Sequence, residues 1–105
     1  MYLIDEFIKI NEPSKIVITQ HGRKRLSERG IVLNDIINAI SSGEIIEQYP
    51  EDFPFPSCLI LGKSDNKIIH VVASIDDEMI YIITSYIPSA EKWESDWKTR
   101  KEVIK

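Results

Sequence analysis

Residues 44–87 constrain the fold most, because they alternate β-branched and aromatic runs with short polar turns. Glu44-Ile45-Ile46-Glu47-Gln48-Tyr49 leads into a proline-broken loop at 50–56. Residues 58–63 and 68–75 flank the turn Ser64-Asp65-Asn66-Lys67, which is a hairpin signal. Asp76-Asp77-Glu78 then turns the chain into residues 79–87. The pattern reads as a meander of three or four strands.

Helices are expected around this meander. Apolar residues at 3, 4, 7 and 8 have helical spacing, and Asn11-Glu12-Pro13-Ser14 breaks it. Residues 15–19 read as a short strand. Thr19 can cap a basic helix that Gly30 ends. Asn34 is expected to cap a second helix at 35–42, with Ile36, Ile37 and Ile40 inward and Gly43 closing it. A last helix is expected from Pro88-Ser89 to about residue 104. There Trp93 and Trp97 would share one face as core anchors. Helices segregated from strands make an α+β domain, with helices packed on a small antiparallel sheet. The 105 residues read as a single domain, 1–105.

The net charge of −4 counts against bulk nucleic-acid binding, whose usual footprint is basic. The charge is nevertheless uneven. Residues 21–29 hold Arg23, Lys24, Arg25 and Arg29 against Glu28 alone, and Lys98, Arg100 and Lys101 cluster near the end. A local basic surface on an acidic body follows. No apolar run is long enough to span a membrane, and the acidic start lacks the basic region of a signal peptide. A cytoplasmic protein is the expectation. Cys58 is the sole cysteine, which excludes an internal disulfide, and it reads as a small buried hydrophobe. His21 and His70 with scattered acids have no metal-ligand spacing, and no glycine-rich phosphate loop exists. Neither a metal nor a cofactor is expected.

The basic helix carries the chemistry. Steps of four residues advance a helical wheel by only about 40°, so His21, Arg25 and Arg29 form one ridge. An imidazole beside two permanent cations suits a phosphate-bearing ligand. The plainer alternative is a solvated face with side-chain stems laid on apolar neighbours.

The string His21-x-x-x-Arg25-x-x-x-Arg29-Gly30-Ile31 is followed by Gly43-Glu44-Ile45-Ile46 and Tyr49-Pro50. Then come Leu59-Ile60-Leu61-Gly62, His70-Val71-Val72, Ile83-Thr84-x-Tyr86-x-Pro88 and Trp93. In that order the landmarks resemble an uncharacterised bacterial and archaeal domain family of the broad RelE/BrnT-like toxin group. The resemblance implies a compact α+β fold and the toxin half of a toxin–antitoxin pair. It also implies metal-independent RNA cleavage, with ribosome-bound mRNA as one target. A cognate antitoxin, often of zinc-finger type, is the implied protein partner. The alternative is a non-catalytic RNA- or protein-binding module of the same fold.

Such cleavage needs a base for the 2′-hydroxyl, cations for the phosphorane charge and an acid for the leaving oxygen. His21 and His70 are candidates for base or acid, Arg25 and Arg29 for phosphate, and Tyr86 for proton donation or base stacking. Arg23, Lys24, Arg100 and Lys101 are candidates for RNA backbone contacts. His70 also fits a hydrogen-bonded core role. Phe53 and Phe55, set among prolines, read either as a partner surface or as packing over the sheet edge.

Overall fold

A computed structural model describes residues 1–102. The elements are α1 (Ile4–Lys9), a 3-10 turn (Pro13–Lys15), β1 (Ile16–Val17), α2 (Gln20–Glu28) and α3 (Leu33–Ser41). Strands β2 (Glu44–Tyr49), β3 (Ser57–Ser64), β4 (Lys67–Asp76) and β5 (Met79–Tyr86) follow. Among the described residues, three α-helices pack on a five-stranded sheet of order β1-β5-β4-β3-β2, an α+β fold. The meander expected from the turns is β2 to β5, antiparallel throughout. The sheet as a whole is mixed, because β1 lies parallel to β5 through Ile16↔Ile80 and Val17↔Tyr81.

The turns explain the register. Asp65 sits at φ 54° between the paired residues Ser64 and Lys67. Asp77 and Glu78 both have positive φ between the paired Asp76 and Met79, the geometry of a two-residue hairpin loop. In β4, Ile69, Val71 and Ala73 face the helices and join the main core. His70, Val72 and Ser74 therefore face the other way. An extra residue on β5, Ile83, interrupts pairing between Val72↔Thr84 and Ala73↔Ile82. This bulge switches the alternation. Ile82 faces the helices, and so does Ser85, which pairs with Val71. Thr84 and Tyr86 lie on the far face.

The helix caps follow local chemistry. The Thr19 hydroxyl accepts from the Gly22 amide at 3.0 Å. At the other end Gly30 takes φ +70°, and the Ile31 amide bonds back to the Leu26 carbonyl at 2.9 Å. The start of α3 differs from expectation. Val32, not Asn34, is its N-cap, and the Asp35 carboxylate accepts from the Val32 amide at 2.9 Å. Asp35 also accepts from Ser64 at 2.7 Å and Lys67 at 3.2 Å, which ties α3 to the β3–β4 turn. Those bonds, led by the one from Val32, hold its carboxyl below the usual range.

The expected last helix is absent over residues 88–102; its final residues, 103 and 104, lie outside the described chain. The Asp96 carboxylate accepts from the Lys98 and Thr99 amides and the Thr99 hydroxyl, so side-chain bonds satisfy backbone donors that a helix would need. The Glu94 amide meets the Thr99 carbonyl at 2.8 Å, and Lys101 meets Lys92 at 2.9 Å. The result is a small hairpin-like loop with Trp93 opposite Arg100. Trp93 is buried as expected, whereas Trp97 is half-buried at φ 62°.

Helix α3 lies directly on the sheet backbone. A Cβ on Gly62 would stand 1.9 Å from the Ala39 carbonyl oxygen. Gly62→Ala should therefore force the helix off β3 and cost about 3 kcal/mol, the upper range for overpacking. Urea unfolding of the two proteins checks this. Matching midpoints would mean that α3 does not rest on the strand.

Candidate functional site

The site begins where β1 stops. Its two residues pair only with Ile80 and Tyr81, so among the described residues no strand lies beside the outer edge of β5 from Ile82 onward. The chain leaves the sheet through Ile18, turns at Thr19 and enters α2, which runs past that open edge. Ile18, Leu26 and Ile31 anchor α2 in the core. The remaining side chains of this helix stay outside.

His21 and Arg25 are brought together as the four-residue spacing implies. The Arg25 Nε–H donates to Nε2 of His21 at 3.1 Å. Nε2 must carry a lone pair in this arrangement. Both residues border a hollow of about 230 Å³ lined also by Ile18, Leu26, Ile82 and Thr84. Arg29 reaches across to β5, where its Nη1 donates to the Ser85 carbonyl at 2.8 Å and the Thr84 hydroxyl at 3.2 Å. It thereby satisfies one acceptor of the open edge. Among the described residues, Arg23, Lys24, Arg25 and Arg29 have no carboxylate at ion-pair distance. Arg23 borders a different hollow, with Ser27 and Gly30, and Lys24 is exposed.

His70 and Tyr86 form a second group, on the far face of the sheet. The His70 side chain is fully buried between Trp93, 4.5 Å away centroid to centroid, and Tyr86, 5.3 Å away. Its Nε2 lies 2.7 Å from the Trp97 carbonyl, which can only accept, so Nε2 carries the proton. Nδ1 then accepts from the Tyr86 hydroxyl at 3.3 Å. Both ring nitrogens are thus committed to the fold. Burial holds the His70 pKa below its ordinary value, against the raising effects of the Trp97 carbonyl and Glu47. Burial likewise raises the Tyr86 phenol. His70 is a neutral bolt that fastens the 88–102 loop to the sheet.

Arg100 belongs to that same fastening. Its guanidinium makes two bonds to Glu47, at 2.8 and 2.9 Å, and lies 4.6 Å over the Trp93 ring. Tyr49 donates its hydroxyl to the same carboxylate, and burial followed by Glu47 pushes its phenol up to about 12. The helix expected to present Arg100 and Lys101 to RNA does not form. Arg100 is held by Glu47, and Lys101 is exposed on the loop. Cys58 is buried in the core, and that burial pushes its thiol up to about 12, which keeps it protonated.

Sequence reasoning missed Thr84 as a partner of Arg29, although Thr84 stands within the landmark string. It also missed the Glu47–Arg100 pair, for which a separation of 53 positions leaves no local signal. Among the described residues, no group of three or more His, Cys, Asp or Glu is placed to hold a metal ion. No helix there is long and apolar enough to cross a membrane.

The His70 bolt has a pH signature. An unfolded histidine binds its proton near pH 6.5, while the folded site resists protonation to a lower pH. Between those values the unfolded chain holds more protons, so stability falls as pH drops. The urea midpoint of the wild type should fall from pH 7.5 to 5.5. His70→Gln should start lower and fall less. Parallel falls would show that His70 is not held neutral.

Residues 18–87 match a family described as a domain of unknown function, DUF4258. No curated protein and no solved structure matches the chain. The matched stretch opens at Ile18, where the chain leaves the sheet, and includes the His21–Arg25–Arg29 ridge, the open β5 edge and His70. It ends before the 88–102 loop. Because that stretch covers two thirds of the 105 residues, the chain belongs to the DUF4258 family.

Proposed function

We propose that this protein is the toxin half of a toxin–antitoxin pair and cleaves RNA, without a metal, at the hollow between α2 and the open edge of β5. The observation that carries the reading is the His21–Arg25 contact of 3.1 Å at the rim of that hollow. It stands on a helix whose arginines and lysine have no acid partner among the described residues. The ordered landmarks shared with the RelE/BrnT-like toxin group support the same reading, and with it ribosome-bound mRNA as a target and a zinc-finger type antitoxin as a partner.

The roles follow from the chemistry of each group. His21 is the base that takes the proton of a ribose 2′-hydroxyl once the Arg25 Nε–H turns from its Nε2 to the phosphate and frees that lone pair. The 2′-oxygen bonds to phosphorus, and the bond from phosphorus to the 5′-oxygen breaks. The departing oxygen takes a proton from water, leaving a 2′,3′-cyclic phosphate and a 5′-hydroxyl end. Arg25 and Arg29 hold the phosphate oxygens as charge grows on them, since a guanidinium fork matches their geometry. Arg23 and Lys24 add longer-range attraction for the strand. His70 takes no part, because both its nitrogens are bonded within the fold.

That last observation also favours a second reading, an RNA-binding module without cleavage. With His70 occupied, the ridge offers one imidazole and no second proton carrier bonded to it. Induction in a bacterial host, together with incubation of purified protein and RNA, separates the two. The wild type should arrest growth and yield 2′,3′-cyclic ends. His21→Ala should relieve the arrest and lower cleavage at least about 100-fold, the usual weight of a general base. RNA bound but left intact by the wild type would establish the binding module. Growth unaffected by soluble wild-type protein would remove the toxin reading.

A further inference from the structure

Phe53 is 96% exposed, whereas the other two phenylalanines, Phe7 and Phe55, are 0% and 41% exposed. It is not on a loose tether. The Asp52 carboxylate accepts from the Ser57 hydroxyl at 2.5 Å, and the Asp52 amide bonds to the Tyr49 carbonyl. The Tyr2 hydroxyl donates to the Pro56 carbonyl at 3.0 Å. The loop is thus tied at both ends, and Pro54 and Pro56 stiffen it. The backbone that carries its rings is held before anything binds, which reduces the ordering cost of a contact.

The position of these rings identifies what they suit. Phe53, Pro54 and Phe55 border an apolar hollow of about 480 Å³ with Tyr81 and Ile83 on the far face of the sheet. Thr19, Ile82 and Ile83 line both this hollow and the one that holds His21 and Arg25. The two therefore adjoin at the open β5 edge. One end is aromatic and apolar, and the other is cationic. Asp52 also lines the aromatic end, with one carboxylate oxygen bonded by the Ser57 hydroxyl. A cationic track joined to an aromatic platform is how proteins hold single-stranded nucleic acid, with phosphates on the cations and bases stacked on the rings.

We propose that residues 53–55 are a stacking platform for an unpaired nucleobase of an RNA strand whose phosphate lies at His21 and Arg25. The proposal rests on the RNA reading above and adds strand selection to it. A duplex keeps its bases stacked on one another and cannot offer one to the platform. The platform would therefore confine the site to unpaired RNA without reading its sequence.

Fluorescence anisotropy with three labelled probes tests this. The probes are an unstructured oligoribonucleotide, its duplex, and an abasic strand of equal length. Phe53→Ala should bind the unstructured strand about tenfold more weakly, within the range for loss of one stacked base. Phe53→Trp should bind it at least as well as wild type. The abasic strand should not distinguish wild type from Phe53→Ala. Arg25→Ala should weaken both single strands and reduce the salt slope by about 0.7. Circular dichroism confirms that the exposed substitutions leave the fold intact. Unchanged binding by Phe53→Ala, with Arg25→Ala impaired, would overturn the platform and spare the RNA reading. Equal losses on the abasic strand would also overturn stacking. Wild-type protein that binds none of the three, or prefers an acidic peptide, would overturn both.

Discussion

The candidate surface depends on a strand that is two residues long. Had β1 continued beside β5, its backbone would have occupied the edge from Ile82 to Tyr86, and α2 would have started too late to lie there. Thr19 prevents this. Its hydroxyl gives the Gly22 amide a partner and starts the helix one residue after Ile18 enters the core. A short strand, an early cap and an anchored Leu26 thus place a cationic helix beside unpaired backbone. The opposite edge of the sheet is treated differently. There the N-terminal segment covers β2, with Tyr2 and Gln48 exchanging two bonds of 3.2 and 2.7 Å. One edge is closed by the chain itself, and the other is left for the helix to border.

The two faces of the sheet divide the remaining work. The helix side is apolar and gains its closeness from Gly62, which lets α3 approach the strand backbone. The far side is closed by polar and aromatic groups: His70, Trp93, Glu47, Tyr49 and Arg100. Partner geometry fixes every one of them, so this side is specified by hydrogen-bond direction more than by volume. The bulge at Ile83 lets one strand serve both sides. It sends Ser85 toward the core, where its hydroxyl bonds to the His70 carbonyl at 2.7 Å, and turns Tyr86 toward the His70 ring.

Much of this was legible in the sequence, because it rests on local signals. β-branched and aromatic runs between polar turns marked β2 to β5, and Thr19 and Gly30 bounded α2 as read. The four-residue spacing paired His21 with Arg25. Features that failed to show depend on distant partners. The pattern around Trp93 and Trp97 suits a helix, but Asp96 bonds its own neighbouring backbone and His70 binds the Trp97 carbonyl. Asn34 looked like a cap by residue type, yet Asp35 took the capping bond because Ser64 and Lys67 hold its carboxylate in place. The parallel pairing of β1 was equally silent, since two residues carry no directional pattern. His70 was readable only as an ambiguity between core and catalyst. Its partners lie 16 and 27 positions away.

Arg29 carries a consequence of a different kind. An unpaired strand edge invites the edge of another molecule, and proteins discourage this with charge at that position. By seating a guanidinium on the Ser85 carbonyl, Arg29 blocks the hydrogen-bond row on which a second sheet would have to build. The same side chain that spans from α2 to β5 therefore also guards that edge against pairing with another molecule. A chain lacking that arginine would face two losses at once, the bond from α2 across to β5 and the cover on an edge then open to aggregation.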